Sequence, residues 1–422
     1  MPTTEEQRPR PRSFFADLGP GLITGAADDD PSGISTYSVA GATFGYVPLW
    51  TALVSFPLMV SVQLMCARLG MVTGRGLAAV VRRRYSRLVL WSACLVLVVA
   101  NVINIGADLG GMADASYMVT RVSPFFWTPF YALTITGLLF WLSYRRIAKI
   151  FKWLTLVLFA YVVTAFLAHA DWGAVLQSTF VPRIEWSRSF LSVLVGILGT
   201  TISPYLFFWQ AAQEVEEERA IGRCLGERKG ASGEELRRSR TDVVTGMFFS
   251  NIIMYFIILT TAATLHAHGR TQIDTARQAA EALLPLAGRG AYWLFTLGII
   301  GTGMLGVPVL VGSCAYAVAE GAAWKASLEQ KPRVAKRFYG IIAIAMLIGL
   351  ALNYAHLDAV KMLFYSAVVN GLLAPPLILL VILLTSDPKV MGEHINPTWL
   401  RVLGWITFVV MVGAAFGMLV TS

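Results

Sequence analysis

The chain reads as a succession of apolar stretches, each near the ~20 residues that a helix needs to cross a bilayer. Short polar, basic or Gly/Pro-containing segments separate them. Eleven stretches are predicted to span, at 18–42, 48–71, 89–118, 125–143, 153–168, 191–212, 243–265, 291–319, 338–355, 358–385 and 399–420. Two of them are interrupted. In the first, Gly25-Ala26-Ala27-Asp28-Asp29-Asp30-Pro31-Ser32-Gly33 sets three carboxylates and a Pro-x-Gly into an otherwise apolar run. Acids and open backbone at that depth must be surrounded by protein or water, and proline removes a backbone donor. A break that frees carbonyl oxygens beside Asp30 is therefore predicted. In the sixth, Gly199-Thr200-Thr201-Ile202-Ser203-Pro204-Tyr205 puts a proline mid-span behind three hydroxyl residues. Interrupted spans of this kind are where transporters hold ions.

The two breaks lie five spans apart, and that interval orders the rest. Residues 18–168 form a first five-helix unit and 191–385 a second, preceded by a tail at 1–17 and followed by a loop and an eleventh helix at 386–422. Because five is odd, the second unit is inserted upside down. The expected fold is all-α: a polytopic membrane protein of about eleven transmembrane helices, a LeuT-type 5+5 inverted repeat plus one extra helix.

Composition agrees. Of 422 residues, 56% are hydrophobic and 14% charged, with a mean hydropathy of +0.63; soluble domains carry about 25% charged residues. The net charge of +9 could suggest nucleic acid, so the placement of the basic residues decides. Most of the 34 Lys and Arg fall in alternate connections, around Arg8–Arg12, Arg68–Arg87, Arg145–Lys152, Arg219–Arg240 and Lys325–Arg337. That asymmetry is the positive-inside rule. It predicts a multi-pass protein of the cell (inner) membrane with its N-terminus in the cytoplasm and its C-terminus outside, whose surroundings are lipid and not nucleic acid. Cys66, Cys94, Cys224 and Cys314 are scattered without a Cys-x-x-Cys, as packed thiols would be. The polar N-terminal segment is read as a mature tail and not a signal peptide. There is no phosphate-binding glycine loop, no metal-hydrolase His pair and no nucleophile with a base, so no enzyme is expected.

Further polar positions stand out. Asp108 lies in Asn104-Ile105-Gly106-Ala107-Asp108-Leu109-Gly110-Gly111 of the third span, either as a buried neutral acid or as a carboxylate on a cation or proton path. Asn370, before Pro375-Pro376 in the tenth span, either faces the cavity or makes a helix–helix hydrogen bond. Tyr144–Lys149 is read as a basic inner loop and Gln210–Arg240 as a solvated helical extension and linker. Residues 270–289 are read as an outer amphipathic helix with Ile273, Leu283, Leu284 and Leu286 on its apolar side. The glycines of the eighth span favour close helix packing.

Gly19-Pro20-Gly21 leading to Asp30-Pro31-Ser32-Gly33, then Thr36 and Gly41, resembles the first span of NRAMP divalent-metal transporters, whose signature there is Asp-Pro-Gly-Asn. Thr200–Tyr205 matches in position their sixth-span Ala-x-x-Met-Pro-His. Asp108 falls where the family keeps an aspartate, and Phe180-Val181-Pro182 resembles its outer loop. The resemblance implies a secondary transporter of divalent cations working by alternating access, with spans one, two, six and seven rocking against the rest, no resident cofactor, and a monomer. It assigns the metal to Asp30, with the carbonyl of Thr200 or Thr201 and the Ser203 hydroxyl as neutral oxygens, and a cavity shaped by Gly33, Thr201, Tyr205 and Asn370.

The departures shift the expected cargo. The family's asparagine falls at Gly33 and its methionine at Ser203, so an amide and a thioether are lost. Carboxylate, carbonyl, hydroxyl and water suit hard ions, and Mg²⁺ keeps several waters. Mg²⁺, with Mn²⁺ next, is thus favoured over soft metals, as in the NRAMP-related magnesium branch. Tyr205 and Gly111 replace the family's histidine and glutamate, which makes proton coupling doubtful. Asp28 and Asp29 are extra acids, about 100° and 200° from Asp30 on a helix; one of them is expected to line an outer vestibule as a cation funnel, the alternative being a buried acid hydrogen-bonded to a neighbouring helix. Two other functions fit less of the sequence: a Na⁺-coupled organic-solute symporter on the same fold, and a non-transporting sensor.

Overall fold

The computed structural model describes residues 19–220, 231–355 and 358–421. The tail at 1–17, Cys224 and the middle of the 210–240 connection lie outside the described residues. Among those described there are helices and no strands. The first predicted span is two helices, α1 (Pro20–Asp28) and α2 (Pro31–Phe44). The first unit continues with α3 (Trp50–Thr73), the short α4 (Leu77–Arg84), α5 (Arg87–Thr120), α6 (Pro124–Trp141), and α7 (Tyr144–Thr155) running through one 3₁₀ turn into α8 (Phe159–Leu167). After α9 (Trp172–Phe180), the sixth span is again a pair, α10 (Arg188–Thr201) and α11 (Pro204–Ala220). Then come α12 (Gly233–Thr264), the small α13 (Ala276–Ala280) and α14 (Leu284–Ala287), α15 (Ala291–Gly321), α16 (Lys336–Leu352), α17 (Ala359–Thr385), α18 (Pro388–Met391) and α19 (Thr398–Val420). Nine helical runs among the described residues are long and apolar enough to cross a membrane; the broken α1–α2 pair and the 18-residue α6 make up the eleven expected.

Only some of the prolines coincide with a break in a span. Pro57, Pro129, Pro308, Pro375 and Pro376 all sit inside continuous helices. Pro31 and Pro204 instead begin new ones. They are preceded by Asp30 and Ser203, residue types that can cap a helix. Phe56, Val307 and Ala374 cannot, while Thr128 before Pro129 could but turns its hydroxyl back to the Pro124 carbonyl (2.8 Å), so the preceding residue favours a break without deciding it. Asp30 is extended (φ −68°, ψ 171°) and its carboxylate takes the Gly33 N–H of the new helix. Asp29 (φ −84°, ψ 51°) and Ile202 (φ −119°, ψ 53°) close the preceding helices.

Glycines set the helix–helix distances around these breaks. A Cβ on Gly25 would run into the Gly246 backbone of α12, and one on Gly41 into Ile258 and Thr261 of the same helix. Gly70 meets the Ala211 carbonyl in the same way, joining α3 to α11, and Gly199 meets Ala367 and Gly371, joining α10 to α17. Small residues that let backbones approach are how helices associate where lipid removes the hydrophobic drive. Large apolar side chains such as Leu95, Leu133 and Val409 face outward, where the bilayer would meet them.

Three local expectations change. Tyr144–Lys149 is not a loop but the start of α7, because Tyr144, Ile147 and Ala148 repeat at helical spacing and are buried. The 210–220 part of the charged connection is helical as expected, yet Glu214 and Glu216 are buried and not solvated. Glu214 accepts from Gln210 Nε2 of its own helix (3.0 Å) and Ser239 Oγ of α12 (2.9 Å), and Glu216 from Ser327 Oγ of the connection after α15 (2.9 Å), so protein donors take the place of solvent. Finally, 270–289 is α13, a 3₁₀ turn and α14, with Ile273 and Leu283 buried but Leu284 exposed. Cys66, Cys94 and Cys314 are free and buried.

Candidate functional site

Each break releases carbonyls that a continuous helix would have used, and the proline itself identifies one of them. In an α-helix the N–H of residue i bonds the carbonyl of i−4, and proline has no N–H. Pro31 therefore leaves the Ala27 carbonyl without its partner, and Pro204 leaves that of Thr200. The Ala27 oxygen accepts from the Tyr205 hydroxyl of the other broken span at 3.1 Å. The Thr200 oxygen accepts from Ser203 Oγ at 2.5 Å. Pro204 thus points to the Thr200 carbonyl; the hydroxyls of Thr200 and Thr201 both turn back to the Ile197 carbonyl (3.1 and 2.9 Å).

Asp30 stands at the centre and is 2% exposed. Its Oδ1 accepts from Ser32 Oγ (2.6 Å) and the Gly33 N–H (2.8 Å). Its Oδ2 accepts from Asn104 Nδ2 on α5 (2.9 Å) and, more distantly, from the Tyr205 hydroxyl (3.4 Å). Tyr205 therefore joins the two breaks, touching the freed carbonyl of one and the carboxylate beside it. Its own backbone is fixed by Ser313 Oγ of α15, which donates to its carbonyl at 2.9 Å. From α15 too, Gly306 closes over Asp30: a Cβ there would lie 3.0 Å from the Asp30 Cβ. Thr200 Oγ1 and the Tyr37 hydroxyl, 2.9 Å apart, tie α10 to α2.

The remaining candidates divide. Ser203 is buried in the second break, but its hydroxyl donates into its own helix at Thr200 and Gly199 (2.9 Å). No hydrogen bond joins it or Thr200 to Asp30 among the described residues. Asp108 lies one turn beyond Asn104 on α5, is 0% exposed, and has neither carboxylate oxygen in a hydrogen bond. Asn370 is buried with both amide atoms unpaired; its neighbour Gly371 packs on Val195 of α10. Asp28 and Asp29 do not line an open vestibule. Both are buried, sharing Ser250 Oγ of α12, which lies 2.7 Å from Asp28 Oδ2 and 3.1 Å from Asp29 Oδ1. The Gly25–Gly246 contact brings α12 too close to leave a channel on that side.

Two participants escaped sequence reasoning. The Ala27 carbonyl was readable as the residue four before Pro31. Asn104 was readable only as a polar residue four before Asp108, hence on its face of the helix.

Two broken helices meeting at a buried carboxylate, inside a bundle of this topology, define an ion-handling membrane transporter fold. The match to the Natural resistance-associated macrophage protein-like family model runs over residues 21–421, and the chain belongs to that family. It is similar to the divalent metal cation transporter MntH of Xanthomonas campestris pv. campestris, at 28% identity over 95% of this chain and 89% of the relative. It is also similar to the transporter of that name from Agrobacterium fabrum, at 27% identity over 95% and 86%. These relatives are transporters and not enzymes. Among solved structures, the Eremococcus coleocola manganese transporter in complex with an aromatic bis-isothiourea substituted compound superposes with a TM-score of 0.78 at 20% identity, covering 98% of this chain and 88% of that one. MhsT in complex with L-phenylalanine superposes at 0.62 with 12% identity, covering 97% and 99%. The shared fold is the LeuT-type bundle of broken helices.

Proposed function

We propose that this protein carries divalent metal cations across a membrane by alternating access, and that it favours hard ions, Mg²⁺ and Mn²⁺, over soft ones. The observation that carries the reading is Asp30: a buried carboxylate set beside a carbonyl that Pro31 has freed, at the meeting point of both interrupted spans. One acid and neutral oxygens, with no sulfur ligand, suit a hard cation that keeps part of its water. The relatives named for divalent metal and manganese transport support the class of cargo. Asp30, the Ala27 and Thr200 carbonyls and the Ser203 hydroxyl are the proposed metal oxygens; Gly33, Thr201, Tyr205 and Asn370 shape the cavity. Asp108 is the acid placed for a cation or proton path. The organic-solute reading has less support, because Tyr205, Asn104 and Gly306 close directly around Asp30. We place the protein in the cell (inner) membrane with a cytoplasmic N-terminus, acting as a monomer.

The test is flux into proteoliposomes of Mg²⁺, Mn²⁺ and Ca²⁺, with and without a proton gradient, for wild type, Asp30→Ala and Asp30→Asn. Asparagine keeps the cap on Gly33 while removing the charge. Both variants are expected to fold and to lose uptake. Undiminished uptake by Asp30→Asn would overturn the assignment.

A further inference from the structure

The family's first-span asparagine is replaced by Gly33, which leaves the site one amide oxygen short. We propose that Asn104 of α5 supplies that oxygen from the opposite side of the site, as a direct ligand of the transported cation. The inference rests on the reading of Asp30 as the metal carboxylate.

The geometry decides which way the amide points. Asn104 is 0% exposed and its Nδ2 lies 2.9 Å from Asp30 Oδ2. Asn104 turns its NH₂ toward the Asp30 carboxylate, and its oxygen faces the other way. That oxygen, Asn104 Oδ1, is buried and has no hydrogen-bond partner. A buried acceptor left unpaired is costly, and such groups in native proteins call for an explanation. A cation at Asp30 would give this oxygen a partner once the amide has turned. The terminal torsion of asparagine is soft and roughly two-fold, so a half-turn swaps NH₂ for oxygen on the face toward Asp30 without moving α5. The ion would then be held by Asp30 and the Ala27 carbonyl on α1–α2 and by an amide oxygen on α5. A carboxylate, carbonyl and amide set is all hard oxygen, in keeping with the cargo class.

The structure also provides the control. Gly33 has an ordinary negative φ, and a Cβ there would meet Tyr37 Cε2 at 3.4 Å and the Tyr37 and Asp28 oxygens at 3.5 Å, normal contacts. An asparagine side chain can therefore start from position 33, as in the relatives' motif. The experiment is equilibrium binding of Mg²⁺ and Mn²⁺ by calorimetry to the purified full chain, with ion-free melting as a folding check. The proteins compared are wild type, Asp30→Ala, Asn104→Ala, Asn104→Asp and the double variant Gly33→Asn/Asn104→Ala. The expected result is a loss on the order of tenfold for Asn104→Ala, recovery to within about threefold of wild type in the double variant, and tighter binding by Asn104→Asp, which keeps an oxygen and adds a charge. If Asn104 only donates to Asp30 to position it, Asn104→Asp loses that donor and binds more weakly; weaker binding by a folded Asn104→Asp, or a double variant no better than Asn104→Ala, overturns the inference. Wild-type binding by Asn104→Ala alongside none by Asp30→Ala overturns it while leaving the Asp30 site intact. Wild-type binding by Asp30→Ala overturns the site itself.

Discussion

The Tyr205 hydroxyl sits where a cation bound between Asp30 and the Ala27 carbonyl would have to go. Its single proton is shared between the Ala27 carbonyl at 3.1 Å and Asp30 Oδ2 at 3.4 Å. A metal using both oxygens must first displace it, so Tyr205→Phe is expected to strengthen cation binding. The magnitude follows from the bond that is lost. Two long contacts served by one proton amount to about one ordinary hydrogen bond, with a net worth of about 1 kcal/mol. A cation using both oxygens would forfeit that bond, so its removal is worth about fivefold in affinity. The ring keeps its place because Ser313 holds the backbone of residue 205 and not its hydroxyl. Calorimetric titration of Mg²⁺ and Mn²⁺ into purified wild type and Tyr205→Phe measures the effect, with ion-free melting expected to fall slightly as the Ala27 carbonyl loses its donor. Unchanged affinity would refute the displacement argument. Weaker affinity would refute it more sharply, by making the phenol oxygen a ligand.

Other outcomes are expected from the same geometry. Ser203→Met removes the donor that covers the Thr200 carbonyl and adds a soft sulfur, so competition of Cd²⁺ against Mg²⁺ in a tracer uptake assay should improve by about tenfold or more; an unchanged ratio would remove Ser203 from the site. Gly25→Val forces α1 off the Gly246 backbone, and overpacking of this kind costs about 1–3 kcal/mol. Its melting temperature should drop while that of Gly33→Ala, whose new methyl meets only ordinary contacts, should stay near wild type; equal stability of the two would contradict the packing account.

The breaks were legible in the sequence because their cause is local. Asp30-Pro31 and Ser203-Pro204 each pair a residue able to cap with one that cannot donate; Thr128-Pro129 has the same pairing inside the continuous α6, so the pair marks where a break can fall without deciding it. The positions four before Pro31 and Pro204 were equally local, so the Ala27 and Thr200 carbonyls could be read directly. What could not be read is anything carried by a second helix. Ser250 lies more than 220 residues from Asp28 and Asp29, and without it two extra acids beside a metal carboxylate invite an open funnel. Glu214 and Glu216 look solvated because charge in a connection usually is; their partners on α12 and after α15 exist only once the bundle has formed. Asn104 belongs with these, since its role depends on α5 facing the first break, which no spacing along α5 alone reveals.

The same packing indicates how ion binding could be linked to movement. The first half-helix is gripped by α12 and α11: Asp242 Oδ2 accepts from the Gly21 N–H at the start of α1 (2.6 Å), and Thr24 Oγ1 donates to Gln210 (2.6 Å), which itself donates to Glu214. Glycine contacts join α1 to α12 and α3 to α11. Spans one, two, six and seven are thereby fastened to one another by backbone-close contacts and buried polar bonds. Span six is also tied to the rest, by Gly199 against Ala367 and Gly371 and by the Ser313–Tyr205 bond, but Asp30 itself reaches the third and eighth spans only through the Asn104 hydrogen bond and the bare surface of Gly306. These are interactions that can be exchanged, for an amide can turn and a glycine offers no interlocking side chain. In the proposed mechanism the site therefore lies on the seam between the two groups of helices. A cation that ligates residues from both sides would favour the arrangement in which they meet, and a ligand can shift such an equilibrium only by the difference in its contacts with the two states.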